Sequence, residues 1–139
     1  MSFNKRAAFS LVEVMIVVVI IGLLAGVVTY ATTGYLEKAK RKKAAADLSV
    51  LRGAVDSFYL DKGRLPDNRE GLGVLAPGFV QALPKDPWGN AYQYIAPGRG
   101  GVAFEVITYG KDGREGGSGA DADLSSANLA AEAGAGGKK

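Results

Sequence analysis

The chain has 139 residues, 47% of them hydrophobic, with 17 Lys and Arg against 14 Asp and Glu and a formal net charge of +3. It contains neither cysteine nor histidine, which excludes disulfide staples, thiol catalysis, a Ser-His-Asp triad and histidine-bound zinc or copper. Taking Lys5 and Arg6 from the 17 positives leaves 15 against 14, a balance of +1 that argues against nucleic acid as a partner.

Apolar residues gather near the N-terminus, and glycine and charge dominate the last third, so the pattern is an anchor followed by a small soluble head. Val14 to Leu36 carries no formal charge, and at about 1.5 Å per residue this stretch is long enough as a helix to cross a bilayer core of about 30 Å. A cleaved secretory signal would need a shorter apolar region, with Ala25 or Ala31 forced into the role of cleavage residue. Lys5 and Arg6 favour a cytoplasmic N-terminus, while Lys38, Lys40, Arg41, Lys42 and Lys43 count the other way, so charge alone leaves the topology open.

Glu13 stands at the start of this apolar run, where a carboxylate costs about 2.5–3.5 kcal/mol on insertion scales. Either it snorkels to the interface or it has a partner. Within one chain the nearby cation is Arg6.

After the apolar run, "KAKRKK" can bind anionic lipid or solvate the emerging helix. Leu48, Leu51, Val55, Phe58 and Tyr59 then recur at helical spacing among Asp47, Arg52 and Asp56, which predicts one long helix whose second half is amphipathic and ends near Asp61, before Gly63 and Pro66. A coiled-coil seam is disfavoured because no heptad is sustained. A short apolar segment follows at Leu72–Leu75, and "DPWGN" reads as a turn shaped by Pro84, Pro87 and Gly89 with Trp88 capping the core. Ala91–Ile95 and Val102–Tyr109 read as two strands joined by "APGRGG". In the second, Val102, Phe104, Val106 and Thr108 share one face, and Ala103, Glu105, Ile107 and Tyr109 the other.

"TYGKDGREGGSGADADL" sets Asp112, Glu115, Asp121 and Asp123 in a glycine-rich segment that can curl and aim carbonyls inward. Calcium takes six to eight oxygens at about 2.3–2.6 Å, and such a loop offers them without histidine or cysteine, although the spacing is not that of an EF-hand. On composition alone a solvated acidic loop is the simpler reading. Asp121 and Asp123 stand too close in sequence to make a persuasive acid–base pair for an anchored enzyme. The stretch from Ser125 to Lys139, rich in alanine and glycine, reads as a mobile or weakly helical tail.

"KRAAFSLVEVMIVVVIIGLLAGVV" resembles the leader and N-terminal helix of type IV pilin-like proteins, in which a small residue precedes a phenylalanine and glutamate is fifth in the mature chain. "LPKDPWGNAYQY" and "YGKDGREGGSGADADL" resemble the major pseudopilins of type II secretion systems. The chain departs from that pattern in having Ala8 where the family usually has glycine, and "SSANL" after "DADL" where it commonly has a tryptophan. The resemblance implies an α+β, pilin-like fold, with a long helix packed on a small antiparallel sheet. It divides the chain into a leader at 1–8, a membrane and filament-core helix at 9–36, its amphipathic continuation at 37–62, a periplasmic head at 63–124 and a tail at 125–139.

The implied function is that of a non-enzymatic subunit. A prepilin peptidase would cut between Ala8 and Phe9 and methylate Phe9, placing the N-terminus in the cytoplasm and the head in the periplasm. The chain would wait in the inner membrane lipid and then polymerise into a helical filament that drives folded proteins across the outer membrane. Its partners would be copies of itself, minor pseudopilins, an inner-membrane assembly platform, a cytoplasmic ATPase and an outer-membrane secretin, with no nucleic acid. Glu13 would pair with the amine of Phe9 on a neighbouring subunit and so set axial register. Calcium would be the structural cofactor, bound by Asp112, Asp123 and the carbonyl of Tyr109, with Asp121 as an alternative, and would replace the missing disulfide. A type IV pilin or DNA-uptake pseudopilin would share the N-terminal mechanism; the lack of cysteine and "DPWGNAYQY" favour secretion.

Overall fold

The computed structural model describes residues 9–129, with side chains in that range apart from 29–33. Residues 1–8, where the leader and Ala8 are expected, and residues 130–139, in the expected tail, lie outside the described residues. One long helix, α1 (Leu11–Lys62), is followed by a three-stranded antiparallel sheet of β1 (Gln93–Ile95), β2 (Glu105–Thr108) and β3 (Leu124–Ser125), in the order β1-β2-β3. By packing, the chain separates into two units, residues 1–36 and 37–139.

In the first unit, Leu11–Val28 has a mean hydropathy of 3.0 and none of it is buried within the chain, so it is long and apolar enough to cross a membrane. The Val14 amide donates to the Ser10 carbonyl at 3.2 Å, opening the helical ladder. Glu13 lies in the first turn, where its charge complements the positive end of the helix dipole.

The second unit is built on the polar half of α1. Ala44, Leu48, Leu51, Ala54, Val55 and Phe58 form a buried stripe at spacings of three and four and pack with Leu72, Leu75, Tyr92, Val106 and Leu124. Tyr59 does not belong to that stripe: it is 51% exposed, because one residue beyond Phe58 turns it about 100° off the packed face. The helix ends at Gly63, whose φ of +67° accepts the left-handed cap while its amide donates to the Tyr59 carbonyl at 2.8 Å. A 3-10 turn at Gly71–Leu75 then delivers Leu72 and Leu75 to the core.

Strand β2 is shorter than its alternation predicts. Val102 to Phe104 belong to the connection from β1, which includes a 3-10 turn at Arg99–Gly101, and pairing begins at Ile95↔Glu105. All four residues of β2 are buried, so the expected alternation of burial disappears. Its polar residues are buried through bonding, Glu105 accepting from Arg99 and Ser125 and Thr108 donating to Asp86. Val106 joins the helix-facing core, whereas Ile107, also 0% exposed, is on the opposite face.

The boundary at 125 requires correction. Ser125 pairs with Ile107 in β3, Leu124 pairs with Thr108, and the Ser126 amide donates to the Val106 carbonyl at 2.8 Å. Ser125 and Ser126 are buried because their hydroxyls are bonded to Glu105 and to the Val106 amide, and Leu129 packs against the core. Small polar residues close the sheet here by hydrogen bonding, which an apolar pattern does not reveal.

Candidate functional site

The glycine-rich loop leaves β2 at Tyr109 and re-enters the sheet at Leu124. It folds upon itself: the Lys111 amide donates to the Ala120 carbonyl at 3.0 Å, and the Asp123 amide to the Gly116 carbonyl at 3.3 Å. Gly117, at φ +81°, is required at its tightest point, since a Cβ there would come within 2.6 Å of the Asp121 carbonyl oxygen.

Tyr109 is half-buried at the loop entrance. Asp112 is exposed and its Oδ1 accepts the Arg114 amide at 3.1 Å, an Asx turn. Asp121 closes a 3-10 turn at Gly119–Asp121, and Asp123 follows just before β3. Oδ2 of Asp123 accepts the Gly116 amide at 3.0 Å, while its Oδ1 is buried with no hydrogen-bond partner. Glu115 stands apart, paired with Arg99 at 3.0 Å. Among the described residues, no three acidic side chains gather into a ready-made metal cluster. What the loop offers a hard cation is the orphaned carboxylate oxygen of Asp123 and backbone carbonyls, oxygen donors of the kind calcium takes.

Two supports of this loop lie outside the predicted ligand set. Arg41 on α1 donates through Nη1 to the carbonyls of Gly119 at 2.9 Å and Ala122 at 3.0 Å. Arg41 is therefore more than a solvated member of "KAKRKK"; its position three and seven residues before Ala44 and Leu48 was the available signal. Lys40 and Lys43 pair with Glu37 at 3.3 Å and Asp47 at 2.6 Å. The second support is "DPWGN". Buried Asp86 accepts the amides of Trp88 and Asn90 at 3.0 and 2.8 Å, and Asn90 Nδ2 donates to the Gly110 carbonyl at 3.1 Å. Trp88 packs against the core and donates through Nε1 to Glu37 at 3.1 Å, the main cause holding the Glu37 carboxyl below its ordinary value.

Beside the loop, Arg99, Glu105, Asp123, Ser125 and Asn128 line an open cavity of about 390 Å³. Burial would raise the Glu105 carboxyl, but bonds from Arg99 and Ser125 reverse the effect and leave it below its ordinary value. At the other end of the chain, Phe9, Glu13 and Val17 follow at helical spacing and line a shallow apolar groove of about 290 Å³.

Residues 31–127 match the family described as type II secretion system (T2SS), protein G, and residues 3–29 match the prokaryotic N-terminal methylation motif. The chain is 41% identical to the type II secretion system core protein G of Vibrio cholerae over 91% of this chain and 94% of that one. It is 37% identical to the Pseudomonas aeruginosa protein of the same name, over 89% and 96%. The crystal structure of the major pseudopilin from the type 2 secretion system of enterohaemorrhagic Escherichia coli superposes with a TM-score of 0.58 and 29% identity, covering 70% of this chain and 93% of that one. The long helix with its small antiparallel sheet is the architecture of that neighbour, and the chain belongs to the type II secretion system protein G family.

Proposed function

We propose that this chain is the major structural subunit of a type II secretion pseudopilus, held in the inner membrane by residues 9–36 with its N-terminus in the cytoplasm and its head in the periplasm. The observation that carries the reading is an apolar helix segment with no part buried inside its own chain, in a member of this family. Such a surface is matched by lipid before assembly and by the same helix of other copies after it. A prepilin peptidase cuts between Ala8 and Phe9 and methylates Phe9. An assembly platform, a cytoplasmic ATPase, minor pseudopilins and a secretin then act on the growing filament. Expression with these components tests this. The expected product lacks residues 1–8, carries one N-methyl group and appears in sheared filaments; a full-length chain that never leaves the membrane overturns the proposal.

The glycine-rich loop is proposed to hold a structural calcium ion through the side chains of Asp123 and Asp112 and the Tyr109 carbonyl, with Asp121 as the alternative side-chain ligand. The unpartnered Oδ1 of Asp123 supports this assignment. Calcium bound there supplies positive charge that gathers oxygens otherwise kept apart by repulsion. Ligand at about 100 times its Kd stabilises a fold by about 2.7 kcal/mol. Chelation is therefore expected to lower Tm and expose the loop to protease; an unchanged Tm and cleavage pattern would remove calcium from the reading.

A further inference from the structure

We infer that Arg41 is the positioning residue that sets the calcium loop from the helix and decides which of its oxygens remain for the ion. This rests on the calcium reading above. The guanidinium donates to the carbonyls of Gly119 and Ala122, at 2.9 and 3.0 Å, from 78 and 81 positions away in sequence. These two carbonyls bracket the turn at Gly119–Asp121, immediately before Asp123. The turn's own bonds are the Asp121 amide to Ser118 at 3.1 Å and the Ala122 amide to Gly119 at 3.4 Å, the second beyond good hydrogen-bond length. Arg41 adds charge-assisted bonds from α1, where Ala44 and Leu48, three and seven residues on, are 0% exposed and fully packed.

Two consequences follow for a cation in the loop. An oxygen facing a guanidinium is a poor ligand for a second cation, so the carbonyls of Gly119 and Ala122 are withheld and the side chains of Asp121 and Asp123 become the donors of this limb. With the turn held from outside, less ordering is left for the ion to bring about, and affinity rises accordingly. A loop bound only to itself would have to be organised by the metal.

The test is a calcium titration of the full chain in detergent, reading Kd and Tm with and without the ion. Arg41→Ala is expected to weaken calcium binding about tenfold and to lose most of the calcium-dependent rise in Tm. Arg52→Ala is the control. It removes a similar bond, Arg52 Nη1 to the Ser126 carbonyl at 3.2 Å, from a site beyond the loop. It is expected to lower Tm equally in both conditions and to leave Kd unchanged. If Arg41→Ala does not fold, Arg41→Gln keeps part of the side-chain stem without the charged fork and is expected to show the same loss of affinity. Wild-type affinity in the Arg41 variants, or equal loss in Arg52→Ala, overturns the role of Arg41 alone. A wild-type chain that binds no calcium overturns the calcium reading and this inference with it.

Discussion

The carboxylate of Asp86 accepts the hydroxyl of Thr108 at 2.6 Å and, on its other oxygen, the amides of Trp88 and Asn90. One side chain, 4% exposed, thus joins the "DPWGN" turn to the last residue of β2, one position before the glycine-rich loop begins. Removing it would strand several buried donors at once. Asp86→Ala is expected to cost about 2–4 kcal/mol in urea unfolding, and Asp86→Asn less, since the amide oxygen still accepts. A loss below about 0.5 kcal/mol for Asp86→Ala would mean that water replaces the carboxylate.

Acid should weaken the head through Glu105. Its folded carboxyl lies below the ordinary value, so the stability it lends is present above the unfolded value of 4.5 and is lost as pH falls through the folded one. Glu70, held down to about 2 mainly by the bidentate bonds from Arg64, acts in the same direction over 4.5 to 2. Glu105→Gln is therefore expected to flatten the acid limb of the stability profile. An acid limb identical to wild type contradicts this assignment. Arg99→Ala, which leaves the buried Glu105 without its ion pair, should cost about 1–3 kcal/mol at neutral pH, a value reduced from the fully buried case because Arg99 is half exposed.

Much of the fold can be read from spacing alone. The stripe from Leu48 to Phe58, the stop at Gly63 and the antiparallel β1–β2 hairpin all arise from local periodicity and turn chemistry. Three kinds of feature were not legible. Tyr59 fits the apolar pattern as an aromatic beside Phe58, and only the helix angle separates the two. Strand β3 was invisible because Ser125 and Ser126 are buried by hydrogen bonds, for which hydropathy carries no signal. Arg41 stands in a run of like charges, where its spacing before Ala44 and Leu48 marks the face it is on but not its contacts, which are to carbonyls and have no residue type to search for. In the candidate site, the acidic residues and glycines were evident, whereas the orphaned oxygen of Asp123 depends on how the chain closes.

Strand β3 gives the next test. Leu124 is 2% exposed and packs with the helix stripe, so Leu124→Ala is expected to lower stability by about 2–5 kcal/mol. A loss below about 0.5 kcal/mol would mean that β3 does not close the core.

Gly117→Ala should act on the loop with little effect on the core. The added Cβ meets backbone rather than a movable side chain, and φ is +81°. Calcium-dependent stabilisation is expected to shrink, with the calcium-free Tm falling by a few degrees at most. Equal calcium response in wild type and variant would show that the tight point of the loop is unimportant to binding.

Glu13→Gln and Glu13→Val should insert into membranes normally, since both remove a charge that insertion disfavours. Filament yield is expected to fall sharply if the carboxylate pairs with the Phe9 amine of another copy. Normal filaments from both variants would leave Glu13 only its local place at the helix start.

The glycine-rich loop leaves and re-enters the sheet beside one cross-strand pair, Thr108↔Leu124. Its ends are therefore tied together whatever the residues between them do. Closure entropy grows only logarithmically, about 0.6 kcal/mol for each doubling of length. A change of length within 110–122 thus acts first on the proposed ion site and on its supports from Arg41 and Asn90, and only afterwards on the register of β2 against β3.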